Sequence, residues 1–88
     1  MKLPPQRLWE MLLEAAEAMG VEVRVEPMGE TGTGGGACRV GGKWMILVDE
    51  GLMPEQKIRV LARGLKAVPG QEVYLRPAVR RLLEEVDA

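Results

Sequence analysis

The chain has no covalent or metal cross-link with which to hold a small fold together. Its 88 residues include one cysteine and no histidine. Cys38 therefore cannot form a disulfide within the chain, and a closed structural zinc site needs four cysteine or histidine ligands. A domain of this length buries only roughly 60–65% of the surface that its unfolded chain exposes. The hydrophobic core, with any surface that a partner subunit covers, must therefore supply most of the stability.

The most common catalytic groups are also missing. Without histidine or serine the chain has no imidazole base near neutral pH and no Ser–His or Cys–His pair. A reactive thiol at Cys38 would need electropositive, partly exposed surroundings, and a small buried thiol is the more common case. Asp49 and Glu50 supply too few ligands for a hard cation. We expect no cofactor, no metal and no catalytic residue; the alternative is an enzyme that uses carboxylates, such as Glu50, or Cys38.

The sequence carries no signal for a membrane or for export. Residues 1–5 do not place an apolar run behind a charged start, and no apolar stretch approaches the roughly 18–20 residues that span a bilayer. A free cysteine fits a reducing compartment, so we predict a cytoplasmic protein. The absence of asparagine is typical of thermophile proteins, and a GC-rich codon bias would give the same composition.

Hydrophobic periodicity predicts one small α+β domain over residues 1–88, with the order α-β-β-β-α-(β)-α. Prolines and glycines mark the ends of the elements. The expected elements are a helix from Pro5 to Gly20, strands near 21–26, 37–40 and 44–48, a helix from Pro54 to Pro69, an extended piece over 73–75 and a helix after Pro77. Gly41-Gly42 predicts a tight hairpin. Residues 44–48 are apolar on both faces, which favours the centre of a three-stranded sheet with helices packed on it.

A glycine-rich segment, Gly29–Gly36, joins the first two predicted strands. Exposed backbone N–H groups in such a loop can bind phosphate. A Walker loop, however, ends in Gly-Lys-Ser or Gly-Lys-Thr and leads from a strand into a helix. This segment has neither feature, so we expect a mobile connection between strands and keep phosphate binding as the alternative.

Positive charge is concentrated in the second half of the chain. Residues 56–81 hold seven lysines and arginines against one glutamate, whereas residues 1–53 hold five against eight acidic residues. Such asymmetry can mark a surface for an acidic partner, although solvated helix faces are the usual explanation. No series of aromatic residues interleaves with the basic ones, as binding of nucleic acid by stacking requires. A nucleic-acid binder is a further alternative, with the basic-face candidates Arg59, Arg63, Lys66, Arg80 and Arg81.

Residues 36–67 resemble the scaffold of the minimal zinc metallopeptidases of the ImmA/IrrE type. In that family a strand ending in Asn or Asp leads, through a turn with leucine, to a helix that carries Leu-Ala-His-Glu-Leu-Gly-His. Here Met45–Asp49 is similar to the strand, Leu52 lies in the turn, and the helix reads Leu-Ala-Arg-Gly-Leu-Lys-Ala. The two histidine positions and the glutamate position are occupied by Arg63, Ala67 and Gly64. The resemblance implies a degenerate relative that has the fold and lacks zinc and peptidase activity.

Three predicted apolar surfaces are more than a chain with so few elements can cover. The first helix has an apolar arc of about 200°, against the roughly 100° that a surface helix needs. The second helix has a small-residue face, opposite its main apolar stripe, that would receive the last helix or a second subunit. The third surface is the strand over residues 44–48, which is apolar on both faces. Because exposed apolar patches mark interfaces, we predict a non-enzymatic homo-oligomeric or partner-binding module, built as a dimer or a multiple of dimers. The interface candidates are Trp9, Met11, Val60 and Ala67.

Overall fold

Three helices and a three-stranded sheet form one α+β unit, as the sequence predicts. The structure is a computed structural model that describes residues 3–29, 34–69 and 73–86. Its elements are α1 (Pro5–Met19), β1 (Glu22–Glu26), β2 (Gly35–Val40), β3 (Lys43–Asp49), α2 (Pro54–Ala67) and α3 (Pro77–Glu85). The optional strand expected over residues 73–75 does not form, because residues 73–76 have no regular secondary structure. No helix among the described residues is long and apolar enough to cross a membrane.

Proline and glycine set the ends of the helices where the sequence predicts them. Each helix has proline in its first turn, where the missing N–H costs nothing. Gly20 ends α1 with φ of 73°, a left-handed conformation that glycine adopts without strain. Its N–H donates to the Glu17 carbonyl, and the N–H of Val21 donates to the Ala16 carbonyl, at 3.1 and 2.9 Å. This pair of hydrogen bonds is a Schellman motif, which turns the chain directly into β1.

The sheet has the order β1-β3-β2, so the apolar strand is central, as predicted. β1 runs parallel to β3, and β2 runs antiparallel to it through the Gly41-Gly42 hairpin, whose residues both have positive φ. Strand β2 starts at Gly35, two residues before the predicted start at Ala37. Gly35 pairs with Val48 of β3, and only glycine fits there, because a Cβ would overlap the carbonyl oxygen of Leu47. A glycine that permits close backbone pairing looks the same in sequence as a loop glycine.

Only the two ends of the glycine-rich segment fall within the described residues. Gly29 follows β1, and the carbonyl of Gly34 accepts a hydrogen bond from the N–H of Asp49 at 2.9 Å just before β2 begins. Residues 30–33 lie outside the described residues. The mobile connection and the phosphate-binding alternative therefore stay predictions.

All three helices pack on one face of the sheet or on each other. α2 contacts β2 and β3, whereas α1 contacts β1 and both other helices. The buried side chains of β3 that point to the helices, Ile46 and Val48, are fully enclosed. The wide apolar arc of α1 is therefore covered on more than one side within a single chain, by β1, α2 and α3.

The small-residue face of α2, formed by Val60, Gly64 and Ala67, packs against the sheet at Gly64, whereas Ala67 is exposed. The prediction of this face as a seat for the last helix or a second subunit is corrected at Gly64 and stays a prediction at Ala67. A Cβ on Gly64 would lie 3.0 Å from three side-chain carbons of Ile46. The absence of a side chain at Gly64 lets α2 approach β3 closely, which offsets the helix propensity that glycine loses. The helical pattern could not predict which element packs against this face, because it gives the side of the helix on which a residue lies and not the neighbouring element.

Candidate interaction surface

Strand β1 has an outer edge that no strand in the described part of the chain covers. The N–H of Glu50 donates to the carbonyl of Glu26 at 2.9 Å, so the backbone of Glu26 faces β3. Because backbone groups alternate sides along a strand, those of Glu22 and Arg24 also face β3. Val23 and Val25 therefore direct their N–H and C=O groups outward, where an added strand could pair with them.

An apolar groove of about 340 Å³ lies beside this edge. Its lining, called the edge groove below, is Pro5, Gln6, Trp9, Val25, Pro54 and Lys57. Val25 shares a sheet face with the buried Val48, yet it is 40% exposed. The alternation of valine and charged residues over 21–26 predicts one buried strand face, and the exposure of Val25 shows that this face is only partly buried. The exposed valine and the half-buried Trp9 give the edge an apolar floor.

The other face of β1 carries charges of alternating sign. The Nε of Arg24 lies 2.8 Å from Oε2 of Glu22, and its Nη1 lies 3.6 Å from Oε2 of Glu26. The hydrogen bond from Arg24 to Glu22 stabilises the charged guanidinium and raises the pKa of Arg24, with smaller contributions from the charges of Glu22 and Glu26. These side chains are exposed enough that their mutual attraction in water is weak, so they remain available to other charges.

The sheet face opposite the helices is partly apolar. By the strand register, Cys38 lies beside Met45, and Gly36 lies beside Leu47, all on the face that points away from Ile46. Cys38, Met45 and Leu47 are half-buried in the single chain. Cys38 is thus not a fully buried core thiol, and its direct partner on β3, Met45, is uncharged.

The structure does not bring the four interface candidates together on one surface. Trp9 lines the edge groove. Val60 and Ala67 line a separate cavity of about 190 Å³ between α2 and β2. Met11 is 7% exposed and belongs to the core, so its choice as an interface residue is corrected. The apolar arc of α1 that suggested Met11 is filled by packing within the chain.

The basic-face candidates divide among separate surfaces and have acidic neighbours. Arg59 and Arg63 line one cavity together with Glu55, while Arg80 and Arg81 line another with Glu84. The fifth candidate, Lys66, donates from Nζ to the carbonyl of Val86 at 2.7 Å and so joins α2 to the end of α3.

One feature of the Arg80 and Arg81 cavity was missed from the sequence. Tyr74, which is 77% exposed, lines this cavity. Because Tyr74 lies in an irregular segment, its position beside α3 gives no periodic signal.

Asp49 has a structural role at the end of β3. Its Oδ1 accepts hydrogen bonds from the N–H groups of Gly51 and Met28, at 3.0 and 3.4 Å. The carboxylate thus stabilises the turn into α2, as an aspartate often does for the backbone two residues ahead. Within the described ranges, no three cysteine, aspartate or glutamate residues are grouped so as to hold a metal ion.

The strand, turn and helix of the metallopeptidase resemblance are formed by β3, Leu52 and α2. Three positions correspond to the zinc ligands and the general base of that family, namely Arg63, Gly64 and Ala67. All three line the cavity that also contains Val60. None of these side chains can bind zinc at neutral pH or act as a general base there.

Comparison with known proteins identifies no relative of this chain. No protein-family model, no curated protein sequence and no solved structure matches it. Function is therefore inferred from the surfaces that the fold presents.

Proposed function

We propose that this chain is a non-enzymatic cytoplasmic module that acts by self-association, with the outer edge of β1 and the edge groove as its interface. One observation carries the proposal. An apolar groove containing Trp9 and the exposed Val25 adjoins a strand edge whose backbone groups point outward. Apolar side chains beside unpaired backbone groups favour the addition of another strand, because one contact then buries both.

The composition of the groove suits a protein interface. Tryptophan is enriched among the residues that contribute most to binding, because it buries a large rigid surface at little cost in side-chain entropy. Trp9 is already half-buried against its own chain, so its orientation is largely set before binding. The charged residues on the opposite face of β1 give the polar surroundings that interface cores usually have.

Asp49, one of the carboxylates considered for metal binding, has another role, and the peptidase-like positions lack catalytic groups. Asp49 stabilises a turn, and Arg63, Gly64 and Ala67 replace the ligands and base of the resembling peptidases. Those replacements support a degenerate, non-catalytic relative of that scaffold. The free thiol of Cys38 supports a reducing, cytoplasmic setting.

A second candidate function is weak binding of nucleic acid at the cavity that contains Tyr74, Arg80 and Arg81. An exposed tyrosine beside two arginines can stack a base and neutralise phosphate. Glu84 lines the same cavity and opposes an anion, so we expect binding only at low salt. A filter-binding assay with single-stranded DNA at 20 mM and 150 mM salt tests this: affinity that persists at 150 mM and is lost in Tyr74→Ala would favour this function over self-association.

Sedimentation equilibrium at micromolar concentration tests self-association. We expect a mass twice the 9.7 kDa of the single chain. The variant Val25→Lys should weaken association about tenfold or more, because it places a charge in the apolar groove. A matched control is Val40→Lys, which changes a strand valine that is 57% exposed on β2, away from the groove.

Circular dichroism of both variants checks that each remains folded. Two results would contradict the proposal. One is a wild-type mass that stays at 9.7 kDa up to 100 µM. The other is equal weakening of association by both lysine substitutions.

A further inference from the structure

We infer that the partner at this edge is a second copy of the chain, whose β1 pairs antiparallel with β1 about a two-fold axis at Val25. The two three-stranded sheets would then form one continuous six-stranded sheet. This inference rests on the proposed self-association and adds to it the partner strand, its direction and its register.

The backbone supports a two-fold axis at an outward-facing residue. Val25 directs its N–H and C=O outward, so two copies of Val25 across the axis exchange both hydrogen bonds. The next outward residue, Val23, lies opposite Pro27 of the second copy, whose carbonyl can accept and whose nitrogen cannot donate. The pairing therefore ends at Pro27, where β1 itself has ended.

The charges of β1 select this register over the neighbouring one. With the axis at Val25, Arg24 lies opposite Glu26 of the second copy, and symmetry repeats the pair. Moving the axis one residue, to Arg24, would place Arg24 against Arg24 and Glu22 against Glu26. Like charges directly opposite each other on paired strands are destabilising, so the axis at Arg24 is disfavoured.

The other charge-complementary register, with the axis at Val23, fits the burial less well. It would pair Glu22 with Arg24 of the second copy, but it would also place Val25 against Val21. Val21 is buried, and its N–H already donates to the carbonyl of Ala16 at 2.9 Å. Neither Val21 nor Pro27 offers a free N–H, so backbone donors do not separate the two registers. The axis at Val23, however, would place the exposed Val25 opposite a valine that is already buried in its own chain.

The apolar surface also favours the axis at Val25. Each Val25 is 40% exposed and lies on the helix-covered side of the sheet, at the edge groove. The axis at this residue brings the two grooves together, so that each covers the other. Arg24 can contribute as well, because a guanidinium has five N–H donors and its closest hydrogen bond within the chain, to Glu22, uses only Nε.

Two charge-reversed variants and their mixture test the register. Arg24→Glu places two glutamates opposite each other across the axis, at positions 24 and 26, and Glu26→Arg places two arginines at the same positions. Each variant alone should associate about tenfold or more weakly than the wild type, because both symmetric pairs become repulsive. An equimolar mixture should recover the wild-type affinity as a heterodimer, which native mass spectrometry identifies by its mass. Ion pairs within one chain cannot produce such recovery on mixing.

The matched control is Glu22→Arg. This substitution removes the closer of the two Arg24 ion pairs within the chain, at 2.8 Å, but position 22 faces Met28 of the second copy. We expect its homodimer affinity to stay within about threefold of the wild type. Its mixture with Arg24→Glu should not recover the wild-type affinity.

Failure of this inference is distinguishable from failure of the proposed function. Recovery in the mixture of Arg24→Glu with Glu22→Arg, and not with Glu26→Arg, would overturn the axis at Val25. If Val25→Lys weakens the dimer but no charge reversal affects it, strand pairing is overturned and the proposed self-association still holds. A wild-type chain that remains monomeric would overturn both.

Discussion

Strands β1 and β2 flank the same central strand, yet different interactions hold them there. β2 is joined to β3 by a tight hairpin, begins at a glycine pressed against the backbone of Leu47, and is covered by α2. β1 reaches β3 in parallel from the end of α1, and it alternates valine with charged residues. Glycines at or beside both ends of β2 therefore fix its backbone geometry, whereas β1 pairs with β3 without any glycine and alternates its side chains between the two faces of the sheet. The alternating valines and charged residues of β1 also lie along its outer edge, where a further strand can pair with them.

The largest expected effect tests the backbone contact that fixes β2. In Gly35→Ala the new Cβ would overlap the Leu47 carbonyl, at a residue whose φ is 124°. We expect the free energy of unfolding to fall by about 2–4 kcal/mol, since strain and overlap both oppose the native pairing. Urea denaturation measures the change. Gly36→Ala is the control, because its added Cβ would have nothing within 4 Å and its φ is ordinary; equal losses in both variants would contradict this account.

A smaller effect tests the close approach of α2 to the central strand. Gly64→Ala gains helix propensity but places a Cβ 3.0 Å from Ile46, so we expect a net loss of about 1 kcal/mol. Combining it with Ile46→Val, which removes a methyl group at that contact, should cost less than the sum of the two single changes. Thermal and urea unfolding of the four proteins give the coupling. Strict additivity would show that the two residues do not compete for space.

The smallest expected effect concerns α1, the helix that covers β1. Arg76 donates two hydrogen bonds to the carboxylate of Glu14, at 2.6 and 3.2 Å, and so joins α3 to α1. The hydrogen bonding to Arg76 lowers the pKa of Glu14 below its ordinary value of 4.5. The resulting stabilisation is complete above that value and is lost as the pH falls through the lower folded-state pKa.

We therefore expect Glu14→Gln to lower stability slightly at pH 6, and the difference from the wild type should shrink as the pH falls below 4.5. Both residues are exposed, so the difference should be small and should shrink further in high salt. Urea midpoints across this range provide the measurement, with Glu17→Gln on the same helix as the control. A difference that grows as the pH falls would have the wrong sign for this account.

Much of the fold could be predicted because its boundaries are set by local chemistry. Proline and glycine define the helix ends, Gly41-Gly42 defines the hairpin, and the doubly apolar Trp44–Val48 identifies the central strand. The start of β2 could not be predicted, because Gly35 is needed for a backbone contact that hydropathy does not report. The exposure of Val25 also escaped prediction, since alternation gives the face of a residue and not how far a helix extends over it.

The candidate surface was predictable only in part. The excess apolar surface predicted association, which stays a prediction, and suggested Trp9, which lines the edge groove. It also suggested Met11 and a face of α2, yet Met11 and Gly64 of that face pack inside the chain. A helical pattern cannot distinguish a face covered by the chain itself from one covered by a second copy. Likewise, the ion pair between Glu14 and Arg76 joins residues 62 positions apart, which no local pattern reveals.

The most direct test of pairing at the β1 edge is disulfide formation by Val25→Cys in a Cys38→Ala background. Hydrogen-bonded residues opposite each other on antiparallel strands have Cα atoms about 5.5 Å apart, within the range that a disulfide spans. Under mild oxidation at micromolar concentration, this variant should form a covalent dimer nearly completely within minutes. Val40→Cys in the same background should stay largely monomeric on non-reducing gels. Equal, slow cross-linking of the two variants would contradict the two-fold pairing of β1.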